Sequence, residues 1–274
     1  LTIMNLLCYP TYAVRRVLRY VRSRLRKFAI DRGLPIKNKW RKLPADSYGK
    51  YLDDGHPGRH WFVEFVKQEA PCKVLEVGAG SLHEARLLFR QGSETPVDYT
   101  VVDVAKEMFT QGRLEFPTIH FIEGDINFLR LSDDVFDAVY CRHVLEHQPY
   151  YERPIREMLR VSKGLVVINV FRWSLHRDII RFSPDDINYS NSYEISKFLT
   201  FIAGLGAGYE YCLVFKDKKL GKNLYEDENI RRTMDHLIIV IVKRGTWVPE
   251  QLYDPLDQIR AVYQRRPYDK LLAA

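Results

Sequence analysis

Cysteine is scarce in this chain, and the four that occur lie far apart. They stand at positions 8, 72, 141 and 212, and no Cys-x-x-Cys pair is present. A disulfide framework or a zinc site built on paired cysteines is therefore not expected, and a reducing compartment such as the cytoplasm fits best. No set of His and Asp residues has metal-ligand spacing either, so no metal is predicted.

Long hydrophobic runs are missing as well. The longest strongly apolar stretches, such as residues 237–242, are far too short to cross a bilayer, so we expect no transmembrane helix. The sequence also contains no repeat or low-complexity block. Its 274 residues suffice to bury a full core, and one large domain with an appendage is the expected organisation.

Acidic residues are nearly absent from the first 44 positions. This segment holds twelve Lys or Arg against a single acid, Asp31, and so carries +11. The whole chain carries +7, so the remaining 230 residues sum to about −4. The basic character of the protein therefore belongs to its N-terminal arm.

Apolar residues recur at helical spacing within this arm, and arginines fill most of the positions between them. The apolar positions are Val14, Val17, Leu18, Val21, Leu25 and Phe28. The pattern predicts a basic amphipathic helix. Three roles stay open for it: a cap on the following domain, contact of residues 12–30 with an anionic membrane surface or a lipid-linked substrate, or binding of RNA phosphates.

Glycine and proline interrupt residues 33–60 too often for one helix, so a linker or lid is predicted there. Its aromatic and polar residues would either cover a substrate or pin the arm to the core. These residues are Trp40, Tyr48, Tyr51, Asp53, Asp54 and His56. We divide the chain into an arm with its linker at 1–56, a core domain at 57–246 and a tail at 247–274.

Strand and helix patterns alternate along the core domain. Strands are predicted at 73–77, 99–103, 119–123, 136–140 and 165–171, and helices at 81–91, 105–114 and 151–161. Five strands separated by crossovers indicate an α/β fold with a parallel, doubly wound sheet. A helix at 193–203 and two strands at 209–216 and 235–243, joined by a loop, predict an antiparallel edge.

Glycines and acidic residues cluster where four of these strands end. The first strand runs into Glu76-x-Gly78-x-Gly80, the second closes with Asp103, the third precedes Gly124-Asp125-Ile126, and the fourth leads into Cys141-Arg-His-Val-Leu-Glu-His147. Ligands of parallel sheets bind at the carboxyl ends of the strands. Glycines admit a ligand against backbone, and acids there can accept hydrogen bonds from ribose hydroxyls and an adenine amino group. The pattern predicts a ligand that contains adenosine.

Two missing features narrow the class of ligand. The dinucleotide fingerprint requires a third glycine where this chain has His83, and no Gly-Lys-Ser/Thr of a phosphate loop follows the glycines. The four signals in this order resemble the class I S-adenosylmethionine-dependent methyltransferases, especially the small-molecule group with Leu-Glu-His after its fourth strand. The resemblance covers roughly residues 57–243. It implies a Rossmann-like sheet of seven strands, mostly parallel, whose last strand is antiparallel.

The resemblance also implies S-adenosylmethionine as the cofactor and a set of site residues. Glu76, Gly78, Ala79 and Gly80 would surround its methionine half, Asp103 with Val104 its ribose, Gly124, Asp125 and Ile126 its adenine, and Cys141 and Arg142 its sulfonium and the substrate mouth.

A sulfonium methyl group is already activated, so the protein mainly supplies orientation, and a hydroxyl acceptor gains from a base. His147 is the first candidate for that base and His143 the second, because both follow the fourth strand. The loop after the fifth strand should help to form the acceptor pocket. Its polar residues include His176, Arg177, Arg181, Asp185, Asp186 and Tyr189.

The expected function is methyl transfer to the oxygen or nitrogen of a small-molecule or carrier-linked acceptor, such as a sugar, lipid or other metabolite. One alternative is an RNA methyltransferase that uses the basic arm, although the chain lacks an Asn/Asp-Pro-Pro-Tyr run after the fourth strand. Another is a non-catalytic interaction protein that keeps the fold. The sequence leaves the oligomeric state open.

Overall fold

The computed structural model describes most of the core domain. The described ranges are 57–69, 73–89, 97–170, 173–174, 176–183, 188–215 and 237–245, together with Trp40 and nine helical positions between 14 and 28. The predicted tail at 247–274 and most of the predicted linker lie outside the described residues.

Five α-helices and eleven strands follow one another in the described residues from Pro57 to Lys243. The helices are α1 (Pro57–Glu69), α2 (His83–Leu88), α3 (Glu107–Glu115), α4 (Glu152–Val161) and α5 (Ile195–Ala203). The longer strands are β1 (Lys73–Val77), β2 (Asp98–Asp103), β3 (His120–Glu123), β4 (Phe136–Arg142), β5 (Ser162–Asn169), β10 (Tyr209–Phe215) and β11 (Leu237–Lys243). Four strands of two residues each lie between β5 and α5: β6 (Trp173–Ser174), β7 (Phe182–Ser183), β8 (Asn188–Tyr189) and β9 (Tyr193–Glu194).

Seven strands form one sheet in the order β10-β11-β5-β4-β1-β2-β3. The five strands from β5 to β3 are parallel, whereas β11 is antiparallel to both β5 and β10. β2 and β3 lie on one side of β1, and the chain then crosses to the other side to form β4 and β5. The order of the strands therefore reverses beside β1, and ligands of such sheets bind at this position. The predicted α/β sheet of seven strands with an antiparallel last strand is confirmed.

Apolar side chains on alternate positions of the strands bury against helices on both faces. Val74 belongs to the core under α1, α2 and α3, whereas its neighbour Leu75 belongs to the core under α4 and α5. Phe62 of α1 stacks on Tyr140 of β4, with ring centroids 3.8 Å apart. Because successive strand side chains point to opposite faces, this alternation holds one sheet between two helical layers.

Two boundaries near the site differ from the sequence prediction. β4 continues to Arg142, two residues beyond the predicted end, because Arg142 still pairs with Asn169 of β5. Helix α2 begins at His83 rather than at residue 81, because Leu82 has a left-handed backbone with φ of 57°. The turn after β1 is therefore longer, and its helix shorter, than the periodicity indicates.

The segment between β5 and α5, residues 173–194, forms a cap of short strands that the sequence predicts only as a loop. β6 pairs in parallel with β9, and β7 pairs antiparallel with β8. Ile179, between β6 and β7, forms an isolated antiparallel β-bridge with Ser192, between β8 and β9. These pairings fold the cap back on itself, so its last residues return to the sheet.

The described positions between 14 and 28 are helical, as predicted for the arm, and all of their side chains are exposed. Within the described part of the chain, no helix combines the length and apolar character needed to cross a membrane.

Candidate active site

The turn after β1 packs so closely against the Val144 side chain, in the segment after β4, that only glycine fits at Gly78. Its N–H donates to the carbonyl of Val102 in β2 at 2.7 Å, and its φ is +76°. A Cβ atom there would lie 2.2 Å from Cγ2 of Val144, which follows β4. Gly80 also has a left-handed φ, of +49°. The turn thus requires glycine at both positions and brings its backbone to the ends of β1, β2 and β4.

Asp103 closes β2 and faces this turn. Its Oδ2 accepts the N–H of Gly80 at 3.0 Å, and its Oδ1 accepts the N–H of Ala105 at 2.9 Å. Burial raises the pKa of this carboxyl, although the backbone donors oppose the shift. An ionised carboxylate offers about four lone-pair positions, so Asp103 retains capacity for hydroxyl donors besides the two backbone groups.

The loop after β3 reaches the same edge of the sheet. The N–H of Gly124 donates to the carbonyl of Asp103 at 2.9 Å. Oδ1 of Asp125 accepts both the backbone N–H and the side-chain amide of Asn127, at 3.0 and 2.8 Å. Ile126 is 4% exposed and packs in the core beneath this loop. The Asp125 carboxylate therefore shapes the loop by bonding to its own backbone two residues on.

A short turn of 3-10 helix, Leu145–His147, follows β4 and carries the candidate base. His147 Nδ1 lies 2.8 Å from the carbonyl oxygen of Tyr189 in β8. A carbonyl can only accept, so Nδ1 must carry the proton and Nε2 must carry the lone pair when the ring is neutral. The ring of Trp40 lies against the imidazole at 4.7 Å, and its Nε1–H donates to Oδ1 of Asn188 at 3.0 Å. The histidine is thus held in one tautomer and one orientation.

Buried polar groups of the cap fix the turn that bears His147. The Asn191 amide donates to the carbonyl of Gln148 at 2.7 Å, and the Tyr193 hydroxyl bonds to the carbonyl of Leu145 at 2.8 Å. Asn127 donates to Oε1 of Gln148 at 2.8 Å, which ties in the loop after β3. Each group is buried, so losing one partner would leave another unsatisfied. The sequence offers no periodic signal for these contacts because they join distant segments.

His143, the second candidate base, lies at the end of β4 with a left-handed φ of 55°. Its N–H donates to the carbonyl of Asn169, and its Nδ1 lies 3.1 Å from Nη1 of Arg142. A guanidinium can only donate, so Nδ1 is the accepting nitrogen here. His143 therefore has the opposite tautomer from His147.

A buried ionic cluster supports the glycine turn from behind. Glu84 of α2 accepts Nε of Arg142 at 2.7 Å and Nε of Arg59 at 3.2 Å. Burial alone would raise the pKa of Glu84, but the two guanidinium groups lower it below its ordinary value. The cluster joins α1, α2 and β4. Sequence reasoning missed Arg59 and Glu84, because each is a charged residue on a helix that such patterns normally assign to solvent.

Glu76 belongs to the same buried region and is held differently. The Tyr99 hydroxyl donates to its Oε2 at 2.9 Å. Burial and the neighbouring Glu84 carboxylate together raise the pKa of Glu76 well above its ordinary value. Two adjacent buried carboxyls cannot both ionise cheaply, so the charged form is favoured at Glu84, beside two guanidinium groups, and disfavoured at Glu76.

A second concavity of about 700 Å³ lies at the opposite edge of the sheet. Lys73, Asp98 and His120, at the starts of β1, β2 and β3, contribute to its wall. The glycine turn and Asp103 are at the other end of these strands. Ligands of parallel sheets bind at the carboxyl ends, so the crevice beside Gly78 is the candidate active site.

Comparison with known proteins agrees with this geometry. A family model described as a methyltransferase domain matches residues 75–168, which run from β1 through β5. Residues 75–168 therefore form a methyltransferase domain, and the sheet around them has the fold of class I S-adenosylmethionine-dependent methyltransferases. The matched residues include the glycine turn, Asp103, the Gly124–Ile126 loop and both candidate histidines.

Curated relatives of this methyltransferase domain act on different small molecules. A sterol 24-C-methyltransferase of Aspergillus fumigatus is 26% identical over 166 residues, which are 55% of this chain and 43% of the relative. A demethylmenaquinone methyltransferase of Renibacterium salmoninarum is 29% identical over 135 residues, 48% of each chain. The chain thus spans about half the length of the curated relatives it matches.

Solved structures share the fold of this methyltransferase domain at low sequence identity. A chain from a complex between a methyltransferase and its activator in Haloferax volcanii superposes with a TM-score of 0.54 at 16% identity, covering 77% of this chain and all of that one. The 1,6-didemethyltoxoflavin-N1-methyltransferase of Burkholderia thailandensis, solved with S-adenosylhomocysteine, gives 0.50 at 15% identity, covering 73% and 85%.

The site residues predicted from the sequence fall into three groups in the methyltransferase domain. Eight lie together at the carboxyl edge of β1, β2, β3 and β4: Gly78, Gly80, Asp103, Val104, Gly124, Asp125, His143 and His147. Ala79, Cys141 and Ile126 lie in the core below this edge, where burial raises the pKa of the Cys141 thiol well above its ordinary value. Arg142 and Glu76 belong to the buried ionic cluster. Their predicted cofactor contacts stay predictions.

No group of three His, Cys, Asp or Glu residues that could hold a metal occurs among the described residues.

Proposed function

We propose that this protein transfers a methyl group from S-adenosylmethionine to the oxygen or nitrogen of a small-molecule or carrier-linked acceptor. The observation that carries this proposal is the convergence of the glycine turn, the Asp103 carboxylate and the fixed His147 ring at one edge of the sheet. Relatives that methylate sterols and a menaquinone precursor support a small organic acceptor. The acceptor itself is open.

The residues around the crevice suit the three parts of the cofactor. The glycine turn suits the methionine part, because residues without side chains let a ligand approach the backbone closely. Asp103 can accept hydrogen bonds from the two ribose hydroxyls through its remaining lone pairs. Asp125 stands on the adjoining loop and can accept from the adenine amino group. The cofactor supplies a methyl group already activated by positive sulfur.

His147 is the proposed general base for a hydroxyl acceptor. Bound S-adenosylmethionine would supply the methyl group to the acceptor oxygen, and the electron pair of the broken carbon–sulfur bond would return to sulfur. The hydroxyl proton passes to Nε2 of His147, giving an imidazolium whose Nδ1–H remains bonded to the carbonyl of Tyr189. Asn188 and Trp40 hold the ring in place during this transfer.

Transfer of a trideuterated methyl group tests the proposal. The full chain is incubated with S-(trideuteromethyl)-adenosylmethionine and separate polar and lipid extracts of cells, and products that gain a trideuteromethyl group are sought by mass spectrometry. We expect labelled product with the wild-type protein and none with Asp103→Ala. Equal label with the wild type and Asp103→Ala, or no label in any extract despite measured cofactor binding, would contradict methyl transfer at this crevice.

An RNA acceptor is the second candidate, because the first 44 residues carry +11. Phosphate contacts make RNA affinity fall steeply with salt, since binding releases counterions. A gel-shift titration of single-stranded RNA at 50 and 200 mM salt would favour this candidate if affinity were high and dropped by orders of magnitude. Weak binding at both concentrations would remove it.

A further inference from the structure

The arm presents an apolar face that the rest of the described chain does not cover. Val17 and Leu25 keep 60% and 62% of their surface exposed, and Val14, Leu18 and Val21 keep 44–47%. These positions are spaced three and four residues apart and so share one side of a helix. A helix that capped the catalytic domain would bury this side. The exposed face therefore favours a partner outside the described chain.

Basic side chains border the same helix. Arg22 and Arg24 are exposed, and the arm as a whole contributes +11 to a protein whose remainder is slightly acidic. Arg24 donates to the Tyr20 hydroxyl, and Tyr20 is itself 60% exposed. Aliphatic residues on one side, with arginine and tyrosine on the flanks, match the composition of helices that lie in the interface of anionic membranes.

The N-terminal segment that carries the arm also reaches the candidate site. Trp40, further along this segment, contacts the ring of His147 directly. The cap adds exposed Arg181, whose carbonyl accepts the N–H of Ser190, next to Tyr189.

An anionic bilayer suits these features better than RNA does. RNA contacts reward the positive charge but leave five aliphatic side chains in water. A bilayer accepts both, because apolar side chains enter the interface while arginines reach the anionic headgroups. Tyrosine, with an apolar ring and a polar tip, is also favoured at this depth.

We infer that residues 14–28 dock this protein on an anionic lipid bilayer with Val14, Val17, Leu18, Val21 and Leu25 in the interface. Because Trp40 ties the same N-terminal segment to His147, docking would hold the candidate site near the lipid headgroups. If the proposed methyl transfer holds, and this step rests on it, the acceptor is an amphiphile that resides in the bilayer. Substrate enters from the membrane side, past Trp40 and the cap.

Vesicle flotation tests the docking directly. The full chain is mixed with vesicles of phosphatidylcholine alone, or of phosphatidylcholine with 30 mol% phosphatidylglycerol, and the bound fraction is measured. We expect binding to the anionic vesicles and little to the neutral ones. Leu18→Glu with Leu25→Glu, and separately Arg22→Glu with Arg24→Glu, should each weaken anionic binding at least about tenfold, since each basic residue near the surface contributes about fivefold.

Matched substitutions elsewhere separate the arm from a general surface effect. Leu114→Glu changes a leucine of α3 that is 84% exposed, and Lys67→Glu with Arg130→Glu changes two exposed cations outside the arm. These controls should bind anionic vesicles like the wild type. The inference would be overturned if the wild type bound both vesicle types equally, or if the controls lost as much binding as the arm variants. It would also be overturned if the arm variants lost affinity for single-stranded RNA but kept their affinity for anionic vesicles.

Binding of S-adenosylhomocysteine, measured on the same protein samples, keeps this inference distinct from the proposed function. If the arm variants lose vesicle binding but still bind S-adenosylhomocysteine, they are folded, and docking is assigned to the arm. Wild-type protein that binds the nucleoside but no vesicles would refute docking alone. Wild-type protein that binds anionic vesicles but no nucleoside would support docking and refute the methyltransferase proposal.

Discussion

Gly78 provides the sharpest test of the geometry at the glycine turn. Replacing it with alanine puts a Cβ atom 2.2 Å from Cγ2 of Val144, whereas carbon atoms normally approach to about 3.5–4.0 Å. Valine is branched at Cβ and cannot rotate away freely, so the turn or the segment after β4 must move. Such overpacking costs about 1–3 kcal/mol, and the left-handed φ of +76° adds about 1–2 kcal/mol for any residue with a Cβ.

Gly245 supplies a matched control for the backbone part of this cost. Its φ of +78° is nearly the same, but nothing lies within 4 Å of the Cβ position. We expect Gly245→Ala to reduce the free energy of unfolding by about 1 kcal/mol, because backbone strain is partly offset by a less flexible unfolded chain. Gly78→Ala should reduce it by about 2–5 kcal/mol. The difference between the two measures the contact with Val144.

Urea unfolding followed by circular dichroism gives these free energies, and a double-mutant cycle assigns the contact. Val144→Ala removes the atom that the new Cβ would meet, so Gly78→Ala should cost less in that background by about 1 kcal/mol or more. The same proteins are titrated with S-adenosylhomocysteine. If Gly78→Ala were no worse than Gly245→Ala, or if Val144→Ala gave no relief, the close approach of the two segments would be wrong.

Three further outcomes follow from the buried cluster and the candidate base. Glu84→Gln should reduce the free energy of unfolding by about 3–5 kcal/mol, because two buried guanidinium groups lose their carboxylate partner. The control Glu115→Gln breaks the partly exposed pair with Arg86 and should reduce it by at most about 1 kcal/mol in the same urea unfolding assay. Folding lowers the pKa of Glu84, so the ionised carboxylate contributes its full stabilisation above the unfolded-state pKa of about 4.3 and loses it as the pH falls through the folded-state pKa. The difference in unfolding free energy between the wild type and Glu84→Gln should therefore shrink below about pH 4. A difference that does not change with pH would contradict an ionised Glu84. His147→Asn keeps a donor for the Tyr189 carbonyl but removes the proposed base. Single-turnover methyl transfer to a hydroxyl acceptor should slow by about 10²–10⁴-fold, while the affinity for S-adenosylhomocysteine stays unchanged. An unaltered rate would exclude His147 as the base.

The fold was predictable from the sequence because short-range patterns determine it. Alternating apolar strands and helices, with glycine after β1 and an acid after β2, identify a parallel sheet and the edge where its ligand binds. The antiparallel position of β11 followed from a loop, rather than a helix, between the last two strands. Each of these patterns involves residues close together in the chain, so each can be recognised from a single sequence.

The parts that escaped prediction depend on contacts between distant segments. Arg59 and Glu84 are 25 residues apart, and Arg142 is 58 residues beyond Glu84, so no spacing rule relates them. The same holds for Trp40 and Asn188, which are 148 residues apart. The pairing of Arg142 with Glu84 is likewise absent from the sequence predictions, and the place of Arg142 at the substrate mouth stays a prediction. The cap was predicted only as a loop because its strands are two residues long.

Calorimetric titration of S-adenosylhomocysteine tests the central claim most directly, with Asp103→Ala as the perturbation. Asp98→Ala is the control, since this acid lies on the same strand but at the opposite edge of the sheet. We predict binding by the wild type and Asp98→Ala, and a loss of at least about tenfold in Asp103→Ala, because each hydrogen bond to a charged group contributes about 1.5–3 kcal/mol. No binding by the wild type, or equal affinity in all three proteins, would contradict a methyl-donor site at this crevice.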